Sequence, residues 1–183
     1  MTVTLVIAAL SIVYALVFCS GILIQVGYVR EYVDGNAATL VHNRSQAFSD
    51  TFLILGIVLL LTVVLMIIMG CNTRRKYYIT NYVAIGIYVA FALVFAILLI
   101  VNVVNIQSAL NQVNLSEVKE VYEEAQNYYG DWNESTWMLA LGYVYVGVLL
   151  VNVAVVVLNL VWKIKLMQGE QTLLQSGAVE EVA

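Results

Sequence analysis

The chain has 183 residues, of which 62% are hydrophobic and only 11% are charged, and its mean hydropathy is +0.91. These values are typical of membrane proteins and exclude an ordinary soluble domain. The formal net charge of −4 carries little meaning as a single number, because the distribution of charge over the connecting segments determines how a membrane protein is oriented.

Four long apolar stretches dominate the sequence, and no Asp, Glu, Lys, Arg or His interrupts any of them. They cover about residues 3–26, 51–69, 82–104 and 138–160. Each is near or above the roughly 20 residues that a helix needs to cross a bilayer core. The sequence therefore predicts an all-α protein, with a four-pass transmembrane bundle over residues 1–166 and a flexible cytoplasmic tail at 167–183.

Helices one and three carry small residues at four-residue intervals. Ser11, Ala15 and Cys19 lie along helix one, and Gly86 and Ala90 lie along helix three. Such stripes let helix backbones approach each other closely in lipid. We therefore expect these residues to form packing faces, either inside the bundle or against another chain.

The connection after helix two is short and strongly basic. Arg74, Arg75 and Lys76 are adjacent there, and short basic loops remain cytoplasmic. Both termini are therefore predicted to be cytoplasmic, and the three basic residues are expected to attract anionic lipid head groups. Cys71 precedes this cluster at the membrane surface, so it is either a palmitoylation site or an unmodified interfacial cysteine.

The long connection between helices three and four contains a predicted amphipathic helix, which makes it the larger of the two outer loops. Its apolar residues recur at helical spacing, and four glutamates occupy its other faces. The apolar set is Leu115, Val118, Val121, Tyr122, Ala125 and Tyr129. We interpret this helix either as a lid over the outer mouth of the bundle or as an acidic docking surface for a partner.

Acceptor triplets for N-glycosylation begin at Asn43, Asn114 and Asn133, and all three fall in the predicted outer loops. Polar loops also produce such triplets by chance, so both interpretations remain open. Glycosylation at any of them would make the chain a glycoprotein, which favours the plasma membrane or an endomembrane as its location.

Few polar side chains lie in the apolar stretches. Asn102 and Asn105 lie near the outer end of helix three, and Asn152 and Asn159 lie on nearly the same face of helix four. A buried amide in lipid needs a partner on a neighbouring helix. We interpret these asparagines as bonds between helices, with a polar path or a ligand pocket as the alternative.

The sequence offers few residues for catalysis. The only histidine is His42, in the first outer loop, and no carboxylate lies within an apolar stretch. No phosphate-binding glycine loop and no nucleophile motif is present. We therefore expect a protein that is not an enzyme, without a catalytic residue, a metal ion, a cofactor or a nucleic-acid partner.

The layout resembles that of tetraspanins and related tetraspan proteins: both ends inside, a small first outer loop, a very short inner loop and a larger second outer loop. Met69-Gly70-Cys71, before the inner loop, is similar to the Gly-Cys pair that tetraspanins carry there. The larger outer loop has no cysteine, so the resemblance is one of architecture. It implies a role as a lateral organiser or accessory protein in the membrane.

Three functional hypotheses follow. The first is an accessory or organising subunit of a membrane complex, whose partners are other integral membrane proteins or further copies of the chain. The alternative is a pore-forming subunit of a homo-oligomeric, cation-preferring channel, in which the asparagines of helices three and four would line the path. The third is a binder of a lipid or another small ligand in the bundle interior.

Overall fold

The computed structural model describes residues 1–18, 36–70, 78–112 and 134–180. They form four helices: α1 (Thr2–Phe18), α2 (Asn36–Gly70), α3 (Tyr78–Leu110) and α4 (Glu134–Glu180). No strand occurs within these four ranges. The predicted all-α helical bundle is therefore confirmed.

Three of the helices are long and apolar enough to cross a membrane. The candidate spans are Thr39–Met69 in α2, Thr80–Leu110 in α3 and Trp137–Gly169 in α4. The apolar part of α1, Thr2–Val17, is shorter, and the rest of its predicted span, up to residue 26, lies outside the described residues. The chain is a membrane protein, and a fourth crossing by α1 stays a prediction.

Three of the described helices, α2, α3 and α4, are longer than the apolar stretches that predict them. The second helix begins at Asn36 rather than at residue 51, and the fourth continues through the predicted tail to Glu180. An apolar stretch marks only the part of a helix that contacts lipid, and polar residues outside the membrane do not end a helix. The chain contains no proline, the residue that most strongly breaks a helix.

The four helices run alternately up and down, and neighbours in the sequence are neighbours in space. Ser49 Oγ of α2 donates a hydrogen bond to the Ala15 carbonyl of α1 (3.2 Å), and Arg44 Nη1 of α2 donates one to the Asn105 carbonyl of α3 (2.8 Å). Contacts are extensive for α1 with α2, α2 with α3, and α3 with α4, whereas α1 and α4 touch over a much smaller area.

Aromatic rings connect all four helices in the core. Phe48 lies against Phe52 with ring centroids 4.5 Å apart, and Phe52 meets the edge of Phe95 at 5.3 Å. Phe95 contacts Tyr145 at 6.2 Å, and Tyr14 contacts Phe48 at the same distance. Edge-on ring pairs of this kind add about 0.5–1.5 kcal/mol to the burial of their area. Phe48 belongs to the segment predicted as outer loop, so that segment is part of the packed bundle.

Two glycines permit close helix contacts. A Cβ atom on Gly56 would lie 2.8 Å from Ser11 Oγ, and one on Gly142 would lie 2.7 Å from Tyr14 Oη. Both distances are shorter than any normal contact, so α2 and α4 can approach α1 this closely only because these positions lack a side chain.

Several predicted features lie outside the described residues. These are Cys19, Cys71, the basic residues Arg74, Arg75 and Lys76, the amphipathic helix of the larger outer loop, and the acceptor residues Asn114 and Asn133.

Candidate functional site

A buried asparagine joins three helices near the middle of the bundle. Asn152 of α4 is 7% exposed, and its Oδ1 accepts a hydrogen bond of 2.8 Å from Tyr88 Oη of α3. Its Nδ2 donates a hydrogen bond of 3.3 Å to Thr4 Oγ1 of α1. Asn152 lies ten residues before Trp162 on α4, about 15 Å along a helix. This triad therefore lies deep in the apolar part of the bundle.

The other three asparagines of the apolar stretches make different contacts. Asn159 Nδ2 donates to the Val155 carbonyl at 3.0 Å, and Asn102 Nδ2 donates to the Leu98 carbonyl at 2.8 Å. Both bonds lie within one helix. Asn105 lies at the end near Arg44, where its main-chain carbonyl accepts the arginine hydrogen bond. The four asparagines therefore do not form one cluster, and among the described residues only Asn152 of the four bonds other helices through its side chain.

Two tyrosines hold α1 and α4 together, and the sequence analysis did not single them out. Tyr14 Oη donates to the Met138 carbonyl at 3.0 Å, and Tyr145 Oη donates to the Ile7 carbonyl at 3.1 Å. Tyrosines at the ends of an apolar stretch suit the membrane interface, but Tyr14 lies well inside its stretch. That interior position indicates a hydroxyl that needs a hydrogen-bond partner inside the bundle.

The two small-residue stripes face different surroundings. Ser11 and Ala15 of α1 are 2% and 0% exposed, at the contact with α2. Gly86 and Ala90 of α3 are exposed, and a Cβ atom on Gly86 would have nothing within 4 Å. The stripe on α1 therefore packs within the chain, whereas the stripe on α3 lies on its outer surface.

A groove follows the line where α1 and α4 meet, and we call it the seam groove. Its volume is about 640 Å³, and it is open toward the surroundings of the bundle. Its lining is largely apolar, with Asn152 and Asn159 as its amide side chains. The α4 residues that line it are Val144, Gly147, Val148, Val151, Asn152, Val155, Val156 and Asn159. The facing residues on α1 are Met1, Val3, Thr4 and Ile7.

A second space of about 230 Å³ adjoins the seam groove at the Asn159 end. The two spaces share Met1, Thr4, Val156 and Asn159, and the second one also reaches Lys163. A lysine therefore lies where the apolar groove ends.

The remaining predicted site residues lie on the N-terminal part of α2. His42 is half-buried and Asn43 is exposed, whereas Ser45, the third residue of the acceptor triplet, is buried. Within the described residues, no group of three or more His, Cys, Asp or Glu side chains could hold a metal ion.

Comparison with known proteins identifies no relative. No protein-family model matches the chain, and neither a curated protein nor a solved structure matches it. The function is therefore inferred from the Asn152 triad, the outer surface of α3 and the seam groove.

Proposed function

We propose that this protein is a non-enzymatic tetraspan membrane protein that acts as an accessory or organising subunit of a membrane complex. In the proposed orientation both termini are cytoplasmic, in the plasma membrane or an endomembrane. The partners are other integral membrane proteins or further copies of the chain, and the anionic lipids of the cytoplasmic leaflet contact its basic inner loop.

The hydrogen bonds of Asn152 support this proposal over the channel alternative. A path for ions needs polar groups that remain available to water or to the ion. The amide of Asn152 is instead bonded to Tyr88 and Thr4 inside the chain. This arrangement suits an amide that holds helices together.

The outer surface of α3 supports a partner in the membrane. Gly86 and Ala90 lie on it, among large apolar side chains such as Val83 (55% exposed) and Ile97 (61% exposed). A helix from another protein could approach the α3 backbone closely over these two small residues, and close approach is the main source of helix association in lipid.

The test is native mass spectrometry of the protein after gentle extraction from its own membrane. We expect a defined complex with other membrane proteins, and we expect the double variant Gly86→Leu/Ala90→Leu to lose most of the partner, because two leucines would hold the helices apart. Ala154→Leu is the control, since Ala154 is an exposed small residue on α4. A wild-type homo-oligomer without other proteins would favour the channel, and a bare monomer would contradict the accessory role.

A further inference from the structure

The seam groove has the length of a lipid acyl chain. Its lining on α4 extends from Val144 to Asn159, which is about 22 Å at 1.5 Å per residue. One leaflet of a bilayer core is about 15 Å deep, so the groove is long enough to hold an acyl chain from one leaflet. The groove faces the surroundings of an apolar bundle, so the hydrocarbon of the bilayer has direct access to it.

Charge and polarity are found at one end of the seam groove. Lys163 lies one helical turn beyond Asn159 and lines the adjoining space. Asn159 lines both spaces, and its amide has a second N–H besides the one that it donates to Val155. Trp162, which is 68% exposed, lies at the same level, and tryptophan is enriched at the boundary between lipid and water. This end of the groove therefore lies at the depth of lipid head groups.

We propose that the seam groove binds one anionic glycerophospholipid from the leaflet on the Lys163 side. An acyl chain lies along Val148 and Val151, the Asn159 amide donates to an ester carbonyl of the glycerol backbone, and the Lys163 ammonium pairs with the phosphate. Basic pockets between membrane helices recognise anionic head groups through the same chemistry. The inference does not depend on the partner protein proposed above.

The size of the groove favours a lipid over a transmembrane helix of a partner. A helix about 10 Å wide that follows the groove for 22 Å occupies about 1,700 Å³. Counted up to the atoms of its walls, the groove encloses about 1120 Å³, so a helix of that length would fit only partly into it. A narrow and flexible hydrocarbon chain can follow the uneven wall that Gly147 and the valines form.

The test is a titration of the purified full-length protein in nonionic detergent, followed by native mass spectrometry. The probes are phosphatidylglycerol and phosphatidylcholine with identical acyl chains. We expect one phosphatidylglycerol per chain to bind at least about five-fold more tightly than phosphatidylcholine, since a lysine near the membrane surface favours an anionic lipid by about that factor. Equal binding of the two lipids, or a series of lipids added without saturation at one, would overturn the proposal.

Two pairs of variants locate the site. Lys163→Gln should remove the preference for phosphatidylglycerol. Lys165 lines a different space, which shares Val155 and Asn159 with the seam groove but has no lining residue on α1, so Lys165→Gln should keep most of the preference. Val148→Phe should fill the groove and weaken both lipids, whereas Val64→Phe on α2 should not. Val148 and Val64 are 43% and 38% exposed, so the two changes are matched.

Either of two results with these variants would contradict the proposal. Equal effects of the two lysine changes would mean that surface charge alone attracts the lipid. Unchanged binding by Val148→Phe would mean that the acyl chain lies elsewhere. If Val148→Phe does not fold, the comparison of Lys163→Gln with Lys165→Gln still tests the proposal. Lys163 is exposed, so its replacement leaves the core intact.

Discussion

At the scale of single residues, the bundle is held by a few hydrogen bonds that cross between helices in an apolar environment. Asn152 uses both ends of its amide, and Tyr14 and Tyr145 reach carbonyl groups on opposite helices. Hydrogen bonds between membrane helices contribute about 0.6–2 kcal/mol each. The carbonyl groups that accept from Tyr14 and Tyr145 are already bonded within their own helices, so they keep a partner when a tyrosine is replaced. Asn152 bonds side chains instead, and these have fewer alternative partners when its amide is lost.

We expect Asn152→Leu to lower the free energy of unfolding by about 1–2 kcal/mol, because it removes two hydrogen bonds and leaves the Tyr88 hydroxyl buried without its acceptor. Asn159→Leu is the control on the same helix, since its amide donates only to the Val155 carbonyl of α4. Unfolding in mixed micelles measures both variants. Equal stability of the two would contradict the role of Asn152 in joining the helices.

The sequence predicts that Asn152 needs a partner on another helix, but it does not identify Tyr88 and Thr4. That pairing depends on the rotation and axial offset of three helices, and a nearly uniform apolar stretch leaves both undetermined. The stripe of Ser11 and Ala15 gives the packing face of α1 more directly, because small residues at four-residue spacing mark a close contact in either orientation. The same pattern on α3 lies on an exposed face, so spacing alone does not tell an internal contact from an external one.

At the scale of the elements, the N-terminal part of α2 is helical where the sequence predicts a loop. This part is polar enough to suggest a loop, yet Val41, Ser45 and Phe48 are buried at helical spacing and continue to Phe52 in the apolar stretch. This periodicity is present in the sequence, but charged neighbours such as Arg44 and Asp50 obscure it. Residues 51–69 cover about 28 Å, close to the thickness of a bilayer core, so they remain the predicted membrane-embedded part of the helix.

The antiparallel packing of α1 against α2 predicts a specific cross-link. In a Cys19→Ser/Cys71→Ser background, Ala15→Cys/Ser49→Cys should form a disulfide under mild oxidation, because Ser49 Oγ lies 3.2 Å from the Ala15 carbonyl. After proteolytic cleavage of the connection between α1 and α2, non-reducing electrophoresis measures the fraction of chains that carry the disulfide.

Ala8→Cys/Ser49→Cys is the control for this cross-link. Ala8 is buried like Ala15 but lies about 10 Å away along α1. More efficient cross-linking through the control pair would contradict the register between the two helices.

At the scale of the whole molecule, charge separates the two ends of the bundle. Arg44 and Asp50 lie at one end, and Lys163 and Lys165 lie at the other. The parts of the four helices between these two ends contain no Asp, Glu, Lys or Arg. The alternating direction of the helices brings the start of α1 and the end of α4 to the same end. The proposed orientation assigns that end to the cytoplasm because the basic inner loop follows α2.

This orientation predicts the labelling of single cysteines in intact cells. In the same cysteine-free background, Gln112→Cys should react with a membrane-impermeant maleimide from outside, and Lys165→Cys should react only after permeabilisation. Both positions are exposed, so access across the membrane and not burial determines the result. The reverse pattern would show that the topology is inverted. Labelling of both cysteines from outside would contradict an intact four-pass bundle.

The small contact between α1 and α4 has a consequence for the biosynthesis of the protein. The three extensive helix contacts join consecutive helices, so each helix can pack onto the one before it while the ribosome is still extending the chain. The contact of α4 with α3 and the α1–α4 contact, with the bonds of Tyr14, Tyr145 and Asn152, both wait for the last helix, but the α1–α4 contact joins the two helices farthest apart in the chain. Until α4 arrives, Thr4 and the facing side of α1 remain open to lipid. The seam therefore closes only when α4 has been made, and a chain that stalls before α4 leaves that face of α1 uncovered.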